Sequence, residues 1–123
     1  MANFTALERK AYKYALSLQI RGYHPAAVIV AGESYFKKAG RSRPPSPHIN
    51  SDKLRMELSE LGTMYTRVNG NILGCCAEVD AADQVMSRLR YLKPNQVKFS
   101  NALRPRTMQI VPTCKNCKTT FSI

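Results

Sequence analysis

Cys76-Ala77-Glu78, read with Pro112-Thr113-Cys114-Lys115-Asn116-Cys117, decides how this chain is organised. The two stretches supply three thiolates and one carboxylate, a set able to hold a zinc ion and move protons beside it. A catalytic zinc takes three protein ligands and keeps a fourth position for water, which ionises near neutral pH on the metal. A neighbouring carboxylate can accept that proton and pass it on. Cys114 and Cys117 are spaced i, i+3, so at the start of a helix both sulfurs face one metal, and the helix N-terminus favours thiolate over thiol. Cys76 and Glu78 are spaced i, i+2 and would face apart in mid-helix. On the first turn of a helix that abuts a pocket, both can line it. A helix is therefore expected to begin near Cys76.

Other readings of the cysteines stand beside this one. A structural zinc site would use Cys75 and Cys76 together, although adjacent residues seldom ligate one metal comfortably and a second C-x-x-C is absent. Disulfides or unmetallated thiols are further alternatives. Cys75 itself is read as a small buried hydrophobe.

Zinc deaminases of nucleobases carry H-x-E followed by P-C-x-x-C, with Cys replacing His in a three-cysteine variant. The chain resembles the cytidine deaminase-like superfamily, and within it the toxin-associated bacterial deaminases, particularly the YwqJ-like branch. The matching residues are Gly40-Arg41-Ser42, Pro47-His48-Ile49, Cys76-Ala77-Glu78 and Cys114-Lys115-Asn116-Cys117, and the likeness spans residues 24–117. Thr113 stands between Pro112 and Cys114, where the family's motif joins Pro directly to Cys. The resemblance implies zinc on Cys76, Cys114 and Cys117, with Glu78 as catalytic acid/base. Ala77 and Ser42 are candidates to line the substrate pocket; His48 could contact a base or ribose at its mouth or be a polar residue flanking a helix, and the excess of cations makes Arg41, Arg43, Arg104 and Arg106 candidates for the phosphates of a bound strand. The resemblance also implies a small mixed β-sheet flanked by helices, with the zinc site at helix N-termini. A toxin or effector role follows, with a cognate immunity protein as a further partner.

The 123 residues argue one domain, 1–123, and the hydrophobic fraction of 44% is ordinary for a globular protein. The net charge of +11 implies an anionic partner, nucleic acid foremost. A basic balance that serves only solubility or delivery is the plainer alternative. No apolar run is long enough to cross a membrane, no basic amphipathic helix suggests a membrane surface, and the N-terminus lacks the form of a secretory signal. The cysteines are expected to work reduced, in a cytosol-like compartment. A toxin domain reaches such a compartment after export as part of a longer protein.

Along the chain, residues 5–21 read as a helix, with an apolar stripe from Phe4 through Leu7, Ala11, Tyr14, Ala15 and Leu18, a capping box at Thr5 to Glu8 and a stop at Gly22. Arg9, Lys10 and Lys13 read as its solvated face. Ala26 to Ala31 is a strand buried on both faces, Gly32-Glu33 a turn, and Ser34 to Lys38 the returning strand. Residues 40–48 read as a loop. Ser51 to Leu61 is a helix capped by Asn50 or Ser51, Met64 to Val68 is extended, and Asn69-Gly70 is a turn. The zinc helix is expected over Cys76 to Leu89, with Asp80 and Asp83 placed to suit its dipole. Gln96 to Phe99 and Thr107 to Val111 read as strands, and Leu103 to Arg106 as a basic break between them.

Two functions from different classes fit. One is a zinc-dependent deaminase of cytosine in nucleic acid, with single-stranded DNA favoured because the target base must leave its stack. Duplex DNA, RNA, free nucleosides and adenine remain open as targets. Tyr35 or Phe36 is a candidate to stack on a base. The other is a non-enzymatic zinc module that binds nucleic acid through its charge and has no use for Glu78.

Overall fold

The computed structural model describes residues 4–33, 36–43 and 47–123, with side chains from Ala6 onward. Helix α1 runs Phe4–Ile20, strands β1 and β2 Val28–Glu33 and Phe36–Arg41, helix α2 Asp52–Ser59, and strands β3 and β4 Arg67–Val68 and Asn71–Ile72. Helix α3 runs Ala77–Arg88, a 3-10 turn Pro94–Gln96, strands β5, β6 and β7 Lys98–Phe99, Ala102–Arg104 and Gln109–Val111, and helix α4 Lys115–Phe121.

The alternation of side chains along β1 sorts the molecule into three layers. Val28 and Val30 face one way and bury against Leu7, Ala11, Ala15 and Leu18 of α1. Ile29 and Ala31 face the other and bury with Ala77, Ala81, Ala82 and Val85 of α3 and with Leu54 and Leu58 of α2. All four β1 residues are fully buried, as expected of a strand covered on both faces.

The main sheet has the order β2-β1-β6-β7, with β5 also paired to β1, and β3 and β4 form a separate hairpin. Every pairing among the described residues is antiparallel, so the expected mixed sheet is corrected to an antiparallel one. The chain leaves β2, crosses through α3 and lands on the far edge of β1. Strands running the same way as β2 are therefore never its neighbours.

Several local expectations hold. Helix α1 stops at Gly22, where Gly22 N–H bonds Gln19 O at 3.0 Å and Tyr23 N–H bonds Leu18 O at 2.9 Å. Ser51 caps α2 by accepting from Leu54 N at 3.3 Å. Asn69 and Gly70 both take positive φ, 50° and 84°, which makes the two-residue β3–β4 turn type I′.

Others are corrected. Thr5 lies inside α1, and the Glu8 carboxylate accepts from Asn101 N instead of closing a capping box. The strand β1 continues through Gly32 and Glu33, and β2 continues through Gly40 and Arg41, which pair with Ile29 and Val28. Leu103 and Arg104 are not a break but belong to β6, where Leu103 pairs with Val28 and Ile110. The expected start of the second strand at Ser34, the stacking role for Tyr35 and the side chain of Phe4 lie outside the described residues.

The small residues of α3 have a consequence for the site. A Cβ added at Gly40 would sit 2.4 Å from Ala81 N and 2.8 Å from Ala81 Cβ, so β2 and α3 are in backbone contact there. That contact sets how far α3 can slide along the sheet, and hence where its N-terminus points. Gly40→Ala is expected to destabilise by roughly 1–3 kcal/mol through overpacking, read as a drop of several degrees in Tm by circular dichroism.

Candidate metal centre

Helices α3 and α4 both begin with a cysteine in the N-cap position. Cys76 has φ −70°, ψ 153° and Cys114 has φ −72°, ψ 160°, the extended geometry that turns a cap side chain back over its helix. The two helix starts meet, so Cys76 Sγ and Cys114 Sγ lie 3.3 Å apart. Cys117, one turn into α4 and 1% exposed, completes the group, and all three sulfurs fall within 4.8 Å of one another. All four cysteines are free thiols, so the disulfide alternative is not realised.

The group fits a metal by its dimensions and its chemistry. Tetrahedral coordination at a metal–sulfur distance near 2.3 Å puts sulfurs about 3.8 Å apart, a spacing compatible with three sulfurs that all fall within 4.8 Å of one another. Three soft donors at positive helix ends suit a thiolate-loving ion such as zinc. Charge is already unequal among the sulfurs. Hydrogen bonds from the Cys117 and Cys76 thiols hold Cys114 well below the usual thiol range, and the backbone N–H groups of Cys117 and Asn116 act in the same direction. Sharing with Cys114 pushes Cys76 and Cys117 up.

Asn116, between the two cysteines of α4, anchors them. It is 2% exposed, accepts from Asn69 Nδ2 at 2.9 Å and donates to Val68 O at 2.8 Å. The β3–β4 hairpin therefore sits against the turn that carries Cys114 and Cys117.

A cavity of about 270 Å³ opens beside the sulfurs, and Glu78, Cys76 and Cys114 share its wall with Ala77, Ser42 and Arg104. Glu78 is only 5% exposed. Burial raises its carboxyl above the ordinary range, its own backbone N–H opposes this, and the nearby Cys114 sulfur adds to the rise. A buried carboxyl held above its ordinary range is the kind of group that can act as a general acid or base.

Neither family models, nor curated proteins, nor solved structures match this chain.

The other expected site residues divide by position. Ser42 lines the cavity but also holds the sheet, its hydroxyl accepting from Ala27 N at 3.2 Å. Arg104 lines the cavity from β6. Arg43 faces a groove that adjoins the cavity and is tied to Asp80 at 3.0 Å. Arg41 lies further out, its guanidinium 5.5 Å from the Tyr23 ring centroid. His48 is exposed and is not among the residues that line the cavity. Its neighbour Pro47 is held by the Tyr65 hydroxyl, which donates to the Pro47 carbonyl. Arg106 is exposed in the β6–β7 turn, its carbonyl accepting from Gln19 Nε2 at 3.3 Å.

Three contributions escape the sequence pattern. Cys75 is half-buried on the cavity wall, not a core residue, and Asn71 and Ile72 line the same wall. The signal for these was the Asn69-Gly70 turn placed so close before Cys76. The third is the buried pair Asp80 and Asp83. Asp80 Oδ2 accepts from Arg41 N at 2.9 Å, and Asp83 accepts from Asn50 N at 2.9 Å and Ser51 N at 2.8 Å. Their main work is to bind both ends of the segment 41–51 to α3. Asp80→Ala leaves the Arg41 N–H and the Arg43 guanidinium without their acceptor, and is expected to cost roughly 1–3 kcal/mol in urea unfolding.

Proposed function

We propose that this chain is a zinc-dependent hydrolytic deaminase that converts cytosine to uracil in nucleic acid, with a cytidine deaminase-like fold. The observation that carries the reading is the burial of Glu78 on the wall shared with Cys76 and Cys114. A purely structural metal site has no use for a carboxylate there. Cys76, Cys114 and Cys117 would hold the zinc, which supplies the Lewis acidity that makes water nucleophilic near neutral pH.

Glu78 takes the proton from the attacking water and delivers it to N3 of the ring. A second proton passes through the same carboxylate to the amino group. The bond from C4 to oxygen forms, the bond from C4 to nitrogen breaks, and ammonia leaves with one water consumed. The cavity of about 270 Å³ is small against drug-sized pockets and suits a single ring. Ala77, small and buried, leaves that ring room beside the sulfurs. Arg104 at the wall and Arg43 in the adjoining groove supply cations for flanking phosphates.

The net charge of +11 favours a polyanion over a free nucleoside. Unstacking costs least in a single strand, so single-stranded DNA is the first substrate, with duplex DNA and RNA behind it. The resemblance to toxin-associated deaminases adds an effector role in a reducing compartment and a cognate immunity protein. Zinc-loaded protein should be incubated with single-stranded DNA, duplex DNA, RNA and cytidine, and the polymers sequenced. C-to-T changes in the strand are the expected result. Bound zinc with no base changed in any substrate would overturn the enzyme and leave the non-enzymatic, nucleic-acid-binding zinc module, which the charge alone supports.

A further inference from the structure

The cationic face of α1 is not simply solvated. Arg9, Lys10 and Lys13 share a groove of about 580 Å³ with Lys37 of β2, over a floor that includes Ala6, Ala39 and Tyr14. The groove exists because β2 is the edge strand and α1 packs mainly on β1 and β6, reaching β2 at Ala39 and leaving the rest of that side of the edge strand only partly covered. Among the described residues, none of the four cations meets a carboxylate within ion-pair distance. Arg9 and Lys13 are spaced i, i+4, and Lys10 and Lys13 i, i+3, so they repel one another on the helix surface. No acidic residue in the first turn of α1 offsets them.

The row continues toward the metal. Lys37, Ala39 and Arg41 lie on one face of β2, spanning about 13 Å. Arg41 lies beside Tyr14 and over the Tyr23 ring. Tyr23, 46% exposed, then lines a second groove of about 440 Å³ with Pro25 and Arg43. That groove shares Ala26, Ser42 and Cys75 with the cavity beside the sulfurs. Cations and an exposed aromatic ring thus follow one another along a single path from α1 to the metal centre.

We propose that the groove between α1 and β2 is the track on which a single nucleic-acid strand lies, its backbone on Arg9, Lys10, Lys13 and Lys37 and its course turned past Tyr23 and Arg43 into the cavity. This rests on the deaminase reading for the strand's destination. Binding to the groove is a separate property. Cationic grooves with aromatic stacking surfaces hold single strands without reading sequence, and their affinity falls steeply with salt.

The test compares two quadruple variants of the zinc-loaded full chain. One carries Arg9→Gln, Lys10→Gln, Lys13→Gln and Lys37→Gln. The control carries Lys53→Gln, Arg90→Gln, Lys93→Gln and Lys98→Gln, with the same loss of charge at exposed positions elsewhere. Fluorescein-labelled oligothymidylate, which offers no cytosine, reports binding by anisotropy between about 50 and 200 mM salt. The groove variant is expected to lose at least about tenfold in affinity, with a salt slope shallower by about 3. The control should keep its affinity within about twofold. Equal losses in both variants, or no loss in the groove variant, would overturn the track. So would a groove-dependent loss seen with anionic lipid vesicles and not with the oligonucleotide. The two proposals fail separately. A groove-dependent binding loss without any deamination by the unaltered chain removes the enzyme and keeps the binding surface. Deamination of a cytosine-containing oligonucleotide that is as fast in the groove variant as in the control removes the track and keeps the enzyme.

Discussion

Glu78→Gln is expected to lower deamination by about 10²- to 10⁴-fold while zinc content stays at the level of the unaltered chain. Gln matches Glu in shape but cannot carry a proton between water, ring nitrogen and amine. Elemental analysis and activity on the same preparation check both halves. A variant that loses zinc as well would mean that Glu78 is a ligand or a support of the metal; a variant that keeps its activity would end its role in proton transfer. The same substitution bears on stability. Burial raises the Glu78 carboxyl in the folded state, so the fold holds this proton more tightly than the unfolded chain does. The contribution is therefore present at low pH and lost as pH rises from the ordinary carboxyl range through the raised value. In metal-free protein at neutral pH, Glu78→Gln should unfold at a temperature equal to or above that of the unaltered chain.

Cys114→Ser should abolish most zinc binding. It removes the sulfur that lies 3.3 Å from Cys76 Sγ and sits on the N-cap of α4. Cys76→Ser and Cys117→Ser should also lower zinc, whereas Cys75→Ser should not, since only Cys76, Cys114 and Cys117 form the close group. Zinc at a hundredfold excess over its dissociation constant stabilises the fold by about 2.7 kcal/mol, which corresponds to roughly 10 °C in Tm. A chelator should remove that increment from the unaltered chain and leave Cys114→Ser unchanged. Protons compete with the metal for the sulfurs, so zinc should dissociate as pH falls. Elemental analysis that finds no zinc in freshly purified, reduced protein would overturn the centre.

The parts legible in the sequence are those written in short-range periodicity. The apolar stripe of α1, the Ser51 cap, the turn at Asn69-Gly70 and the helix start at Cys76 each depend on residues within a few positions of one another. The i, i+3 spacing of Cys114 and Cys117 belongs to the same class. From these the three layers and the cysteine group follow, because a strand apolar on both faces needs a helix on each side.

What only the tertiary structure decided depends on partners far apart in the chain. Ala102–Arg104 is too short to carry a period, and it is a strand because Leu103 reaches Val28. The sheet is antiparallel because β1 separates β2 from the strands that return beyond α3. Asp80 and Asp83 look like helix-dipole residues until burial shows that backbone N–H groups from the segment 41–51 need acceptors. Whether a loop residue faces the cavity was equally hidden. Ser42 lines it because β2 extends to Arg41 and holds the chain against Ala27, whereas His48 is exposed and stands outside its lining. The charge of the α1 face was plain in the sequence, but the groove it lines exists only because the edge strand β2 projects beyond the helix that covers its neighbour.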